Sequence, residues 1–157
     1  MRNLISILDF STDELYELMD TANDIIANPG KYSEMCRGKK LAVIGLGAIG
    51  ALVANAAAQG FGMDVVGYDP YISVAHAWAL SRAIHRANSL EEAVRNADYI
   101  TIHVPLMNDT RGMVNDAFLA GLKKGVRILN FSRGELADPE AIKRAVAAEQ
   151  LACYVTD

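Results

Sequence analysis

A glycine-rich turn near residue 45 constrains the fold of this chain more than any other feature. The apolar run Leu41–Ile44 is typical of a buried parallel strand, and Gly45, Gly47 and Gly50 follow it with the spacing G-x-G-x-x-G. The first glycine permits a tight turn, the second a close approach of a pyrophosphate to the backbone, and the third close packing of helix on strand. The sequence therefore predicts a strand, a turn and a helix whose free N–H groups face a phosphate.

The residues around this turn favour nucleotide binding. An alanine-rich helical stretch is predicted at Ala51–Gln59, and a second strand at Met63–Tyr68. Asp69 ends that strand about 20 residues after Gly50, where dinucleotide-binding folds place an acid for the ribose 2′-hydroxyl. The alternative at this point is a β-α-β turn that uses glycine only for packing.

Composition disfavours several other classes of function. The chain has 157 residues, enough for one domain with a real core, and a net charge of −4 without a basic block. Nucleic-acid binding is disfavoured, because it needs a positive patch. We also expect no membrane span, no signal peptide and no metal site, since Cys36 and Cys153 are not spaced as ligands. These features predict a cytoplasmic protein.

Strands and helices alternate along most of the chain. Strands are predicted at 63–68, 83–86, 99–104, 126–131 and 151–155, and helices at 51–59, 73–81, 89–96, 115–122 and 139–149. This alternation implies an α/β fold, a three-layer doubly wound Rossmann-like parallel sheet in a single domain. Ligands of such sheets bind beyond the carboxyl ends of the strands.

Residues 1–40 show a different pattern. Ser11 and Glu14 form a capping box, and apolar residues then recur with helical spacing at Leu15, Leu18, Met19, Ala22, Ile25 and Ile26. We predict a helix over about 11–27, ended by Asn28-Pro29-Gly30, and then a loop over 31–40. The apolar face predicts a helix that covers the sheet and has no catalytic role.

From about Gly38 to Asp157 the sequence resembles the nucleotide-binding domain of the D-isomer-specific 2-hydroxyacid dehydrogenases, in particular their phosphoglycerate dehydrogenase branch. The matching motifs are Val43–Gly50, Val66–Tyr71, Ala97–Leu106 and Gly125–Gly134. The resemblance implies that NAD (NADH) is the cofactor, preferred over NADP. We expect the binding to be weak, because the cleft of the intact enzymes closes between two domains.

The resemblance also implies roles for individual residues. The glycine turn holds the pyrophosphate, Asp69 the adenine ribose and Asp157 the nicotinamide carboxamide. The implied cofactor-binding residues are Gly45, Gly47, Ala48, Ile49, Gly50, Tyr68, Asp69, Pro70, His103, Val104, Pro105 and Asp157. Arg133 corresponds to the catalytic arginine that contacts the substrate carboxylate, and we expect its role to be vestigial.

The sequence lacks other parts of that family. A catalytic Glu and a Pro-His pair follow the position of Asp157 there, and a substrate domain precedes the first strand. Here His76, His85 and His103 are expected to be structural or surface residues. The prediction is therefore an NAD(H)-binding domain without turnover, in a chain that pairs as a possible homodimer. A residual dehydrogenase and a protein that binds no ligand are the alternatives.

Residues 1–42 resemble the amino-terminal part of aspartate and ornithine carbamoyltransferases. In that family the first strand leads into a Ser-Thr-Arg-Thr-Arg phosphate loop, whereas here it leads into Gly45-Leu46-Gly47, so carbamoyl phosphate binding is not expected. We interpret the chain as a chimera, with a carbamoyltransferase-like helix and loop at 1–40 and a truncated dinucleotide-binding Rossmann domain at 41–157. An engineered origin is favoured over a natural fusion or a naturally shortened homologue.

Overall fold

A parallel six-stranded sheet forms the centre of the larger part of the chain. The computed structural model describes residues 10–32 and 34–156, and the chain divides into two units, Met1–Met35 and Cys36–Asp157. The strands of the second unit are β1 (Lys40–Ile44), β2 (Asp64–Tyr68), β3 (Ile84–Arg86), β4 (Tyr99–Ile102), β5 (Val126–Asn130) and β6 (Leu151–Thr156). Their order in the sheet is β3-β2-β1-β4-β5-β6. This is the doubly wound order of dinucleotide-binding folds, so the predicted fold class is confirmed.

Helices connect the strands, and two more lie in the first unit. They are α1 (Thr12–Ala27), α2 (Pro29–Tyr32), α3 (Ala48–Gly60), α4 (Val74–Ala79), α5 (Leu90–Val94), α6 (Asp116–Ala120) and α7 (Pro139–Ala147), with a 3₁₀ turn at Gly134–Leu136. The short helix α2 and the 3₁₀ turn were not predicted from the sequence. Helix α1 ends at Ala27, directly before Asn28-Pro29-Gly30, as predicted. Pro29 also begins α2, because its fixed φ suits the first helical position.

The core lies on both faces of the sheet, as the alternation along β1 shows. Leu41 and Val43 pack with Ala54 and Ala57 of α3 on one face. Ala42 and Ile44 belong to the larger cluster on the other face, which also contains Ile100, Ile102, Ile128, Ala93 and Ala141. Each fully buried Ile or Val contributes about 1.5–3 kcal/mol relative to exposure. Burial on both faces explains the continuous apolar runs in the sequence.

Strand β4 is shorter than predicted. It ends at Ile102, so His103, Val104 and Pro105 lie in the loop that follows and the expected strand over 99–104 is wrong at its end. The His103 N–H still donates to the carbonyl of Ile44 at 2.7 Å, but Pro105 has no N–H to continue the ladder. Helix α7 also ends early, because Glu149 takes a left-handed conformation with φ of 56°.

The first unit contains the predicted capping box. The Ser11 N–H donates to Glu14 Oε2 at 2.8 Å, and the Glu14 N–H donates to Ser11 Oγ at 3.3 Å. Helix α1 has no buried residue among those described, and Leu18 is 52% exposed. The expected covering role of this helix therefore stays a prediction.

Candidate functional site

Two of the three glycines are required by close packing at the end of β1. Gly45 has φ of +88°, and its N–H donates to the Tyr68 carbonyl at 2.9 Å. A methyl group on Gly45 would lie 2.7 Å from the carbonyl oxygen of His103, and one on Gly50 would lie 1.9 Å from the carbonyl oxygen of Gly45. Neither position accepts a side chain, so the turn has the shape that the G-x-G-x-x-G spacing predicts.

Gly47 is different, because no described residue fills the space beside it. A methyl group at Gly47 would meet no atom within 4 Å among the described residues. Gly47 is also the N-cap of α3 and supplies no side-chain hydrogen bond to it. Ala48 and Ile49, the first residues of α3, are exposed, and the positive end of the helix dipole lies at this turn.

Five other helices, unlike α3, begin with a side-chain cap. Side chains accept hydrogen bonds from first-turn N–H groups of α1, α4, α5, α6 and α7, and they belong to Ser11, Ser73, Ser89, Asn115 and Asp138. Such a side chain satisfies one of the donors that a helix start leaves unpaired. The absence of one at α3, together with the open space at Gly47, leaves room and donors for an anion such as a phosphate.

Asp69 lies against the glycine turn, as its position after β2 predicts. Its Oδ2 accepts the Leu46 N–H at 2.8 Å, and its Oδ1 accepts the Tyr71 N–H at 2.9 Å. An ionised carboxylate has about four acceptor positions, so two remain for a ligand. Sequence reasoning placed Asp69 at a ribose but did not foresee its bond to the turn. Pro70, next in the chain, is exposed.

His103 supports the turn from the start of the loop that follows β4. Its Nε2 and the hydroxyl of the buried Thr101 are 2.9 Å apart, and its Cβ lies 3.4 Å from the position of a methyl group on Gly50. Burial lowers the pKa of the His103 imidazole below its usual value of 6.5, which favours the neutral form. Val104 is also in contact range of Gly45.

The loop after β4 is closed by a residue that the sequence analysis missed. The Thr110 hydroxyl donates to the Pro105 carbonyl at 2.7 Å and accepts the Met107 N–H at 2.8 Å. A threonine that bonds to the backbone of its own loop is common, and no periodic pattern in the sequence marks it. It fixes the path of the chain beyond Pro105.

Arg133 follows β5, one strand further along the carboxyl edge. Its side chain is exposed, and Nη1 donates to the Ser132 carbonyl at 2.7 Å. The Ser132 hydroxyl donates to the Ile102 carbonyl at 2.9 Å, which joins this turn to the end of β4. The sequence analysis missed Asn130 and Tyr154, which bond to each other beneath the turn.

The carboxyl edge of the sheet thus brings together the glycine turn, Asp69, His103 and the Arg133 turn. Asp157 lies outside the described residues.

A small pocket of about 90 Å³ lies away from this edge of the sheet, beside Lys40 at the amino end of β1. No described helix is long and apolar enough to cross a membrane, and no three metal-binding side chains of the described residues come together.

Comparison with known proteins gives one family. The family model "D-isomer specific 2-hydroxyacid dehydrogenase, NAD binding domain" matches residues 12–157. D-3-phosphoglycerate dehydrogenase of Rattus norvegicus is 44% identical over 122 residues, which is 76% of this chain and 22% of that protein. A chloroplastic D-3-phosphoglycerate dehydrogenase of Arabidopsis thaliana is 44% identical over 69% of this chain and 18% of its own length. The chain therefore spans about a fifth of the length of these relatives.

Solved structures agree with this comparison. The holo form of Rhodotorula graminis D-mandelate dehydrogenase has a TM-score of 0.71 and 34% identity, over 88% of this chain and 40% of that chain. Salmonella D-lactate dehydrogenase has a TM-score of 0.69 and 32% identity, over 78% of this chain and 36% of that chain. A D-isomer specific 2-hydroxyacid dehydrogenase from Lactobacillus delbrueckii ssp. bulgaricus in its NAD-complexed form has a TM-score of 0.68 and 26% identity, over 76% of this chain and 35% of that chain.

Proposed function

The chain belongs to the D-isomer-specific 2-hydroxyacid dehydrogenase family through its NAD binding domain, and we propose that it binds NAD(H) weakly and does not turn over substrate by itself. The observation that carries the proposal is the start of α3. Its first-turn N–H groups have no side-chain cap, and the space beside Gly47 is open. A pyrophosphate fits both the donors and the space.

The neighbouring residues support a dinucleotide rather than a free phosphate. Asp69 keeps acceptor positions for ribose hydroxyls next to the turn, and its negative charge disfavours the extra phosphate of NADP. The residues proposed to line the cofactor are Gly45, Gly47, Ala48, Ile49, Gly50, Tyr68, Asp69, Pro70, His103, Val104, Pro105 and Asp157. The nicotinamide ring, when bound, supplies hydride chemistry.

The proposed absence of turnover rests on what the described residues offer for proton transfer. His103 is half-buried, paired with Thr101 and packed beside the turn, which suits a structural role. Arg133 provides a carboxylate-binding group but no proton at neutral pH, because its guanidinium stays charged. A residual dehydrogenase activity would need a proton donor from solvent. NADH oxidation with pyruvate as a 2-oxo acid is expected to be absent.

Titration calorimetry with NADH, and with NADPH as the control, tests the binding proposal. Saturable NADH binding in the micromolar to low-millimolar range is expected, with NADPH weaker. Gly47→Ala should weaken NADH binding at least tenfold, because the new methyl group fills the space that the pyrophosphate needs. Gly60→Ala is the matched control, since it adds a methyl group to open space at the other end of α3. Equal affinity of the Gly47→Ala variant and the parent would reject the site.

Asp69→Ala separates two effects of this carboxylate. If Asp69 bonds the ribose, NADH affinity falls several-fold and the preference over NADPH disappears. If Asp69 acts only through its bond to the Leu46 N–H, both affinities fall by the same factor and the preference remains. An unchanged NADH affinity would count against either role.

The evolutionary or engineered origin of the first unit is a question separate from NAD(H) binding. The boundary between Met35 and Cys36 is compatible with a carbamoyltransferase-like segment joined to the dehydrogenase domain, whereas the family model already matches from residue 12. The latter observation favours a single family origin for α1. Pairing into a homodimer and a cytoplasmic location also stay predictions, and sedimentation at several concentrations tests the first.

A further inference from the structure

Asn130 is a buried polar residue at the end of β5, directly before the Arg133 turn. Its side chain is fully buried, with 0% exposed, and it is one of two polar residues in the buried set. A buried amide without hydrogen bonds is strongly unfavourable. Asn130 avoids this cost through three bonds, and all three involve the turn or the adjacent strand.

Two of these bonds hold the turn on either side of Arg133. The Asn130 Oδ1 accepts the Ser132 N–H at 3.2 Å, and its Nδ2 donates to the Arg133 carbonyl at 2.8 Å. One side chain therefore positions the Phe131–Ser132 and Arg133–Gly134 peptide groups, which flank the peptide group that joins Ser132 to Arg133. The Ser132 carbonyl, in turn, accepts the hydrogen bond from the guanidinium at 2.7 Å.

The third bond ties the amide to the adjacent strand. Asn130 Nδ2 donates its second proton to the Tyr154 hydroxyl, at 2.9 Å, across the pairing of β5 with β6. A flipped amide would place its NH₂ group against the Ser132 N–H and its oxygen against the Arg133 carbonyl. These two backbone groups therefore set the orientation of the amide, and the Tyr154 hydroxyl, which can donate or accept, joins it to β6.

We propose that Asn130 and Tyr154 are positioning residues that set where Arg133 presents its guanidinium to the carboxylate of a 2-oxo or 2-hydroxy acid. The inference rests on the proposed function, in which the carboxyl edge binds NAD(H) and Arg133 lies beside it. One guanidinium N–H donates to the Ser132 carbonyl. The other N–H groups of the planar guanidinium can donate to both oxygens of a carboxylate. The buried amide fixes the backbone from which the Arg133 side chain extends, and the bond to the Ser132 carbonyl restrains the exposed guanidinium.

The test measures pyruvate binding and NADH binding on the same variants of this chain. Pyruvate, the probe for a 2-oxo carboxylate, is titrated at constant ionic strength against arginine-labelled protein, and the Arg133 Nε–H signal is followed by NMR. Tyr154→Phe should weaken pyruvate binding about threefold and Asn130→Asp about tenfold, while the NADH Kd stays within about twofold. Tyr99→Phe is the matched control, since it removes a tyrosine hydroxyl at the amino end of β4. Arg133→Lys removes this Nε–H signal and serves to assign it.

Each outcome decides the inference. Parent-like pyruvate affinity in both Tyr154→Phe and Asn130→Asp would overturn it, as would equal losses of pyruvate and NADH affinity, which indicate a purely structural role. A parent that binds NADH without any Arg133 shift would overturn it while the proposed function stands. The pyruvate titration is repeated without NADH, so a failure of NADH binding rejects the proposed function separately.

Discussion

The two units of this chain are stabilised in different ways. In the first unit the described contacts join residues close in sequence, such as Ser11 with Glu14, and no residue of α1 is buried. In the second unit β1 pairs with β4, almost 60 positions further along, and Ile100 is fully buried between them and the helices. Local hydrogen bonds thus stabilise α1, whereas burial between segments that are distant in sequence stabilises the second unit.

The hydrogen bonds at the end of α1 also join residues that are close in sequence. Asp24 accepts hydrogen bonds from the Asn28 amide at 2.7 Å, the Lys31 ammonium at 2.6 Å and the Tyr32 hydroxyl. The Lys31 bond is the main reason that the pKa of Asp24 is lowered to about 2. These bonds join α1 to α2 in exposed positions, where ion pairs contribute little to stability.

The largest expected difference between the units comes from removing an apolar side chain. Ile100→Ala leaves a cavity in the middle of the sheet and should lower the free energy of unfolding by about 3–4 kcal/mol. Leu18→Ala, at a position 52% exposed, should change it by less than about 0.5 kcal/mol. Urea denaturation with a constant m value measures both. Equal losses would mean that α1 is packed as tightly as β4.

A smaller difference is expected from removing helix caps. Ser11→Ala removes the capping box of α1 and should destabilise that helix by about 1 kcal/mol. Ser89→Ala removes a similar cap, but α5 buries Ala93 and Val94 and should stay helical. Hydrogen exchange of the Leu15 and Ala93 amides distinguishes the two. If both amides lose protection equally, tertiary packing does not protect α5.

The smallest expected difference between the two units is in how their stability depends on pH. Burial lowers the pKa of His103, so below about pH 6.5 the unfolded chain takes up a proton that the folded chain resists. Stability of the second unit should therefore fall as pH decreases through that value, and His103→Gln should remove this part of the slope. Asp24 contributes in the same direction at lower pH, because the stability from its bonds is present above pH 3.8 and is lost as pH falls toward about 2.

Thermal unfolding between pH 8 and pH 4 checks the His103 prediction, and carbon NMR of the Asp24 carboxyl checks the other. An identical pH slope in the parent and His103→Gln would show that the imidazole does not control acid stability. An Asp24 titration near pH 4 would show that the α1–α2 contacts do not form in solution.

Much of the fold was predictable because its signals are short and repeated. Glycine spacing predicted the turn at Gly45 and Gly50, and the apolar runs predicted the strands, since burial on both faces leaves little room for polar residues. The end of β4 at Ile102 was missed, because His103 and Val104 continue a β-rich pattern that the proline at 105 interrupts.

The supporting residues of the site were not predictable in the same way. Asn130 and Tyr154 are 24 positions apart and bond only because β5 and β6 lie side by side. The bond between Leu46 and Asp69 likewise depends on the pairing of β1 with β2. Single contacts of this kind leave no periodic signal. Sequence reasoning therefore named candidate cofactor-binding groups but missed the residues that hold them in place.

The bond between Asp69 and the Leu46 N–H has a consequence for redesigning the cofactor preference. The usual route from NAD toward NADP replaces the ribose-binding acid by a neutral or basic residue. In this chain the same substitution also removes an acceptor from the backbone of the glycine turn. If Asp69 binds the ribose as proposed, a successful exchange therefore needs a second change that satisfies the Leu46 amide.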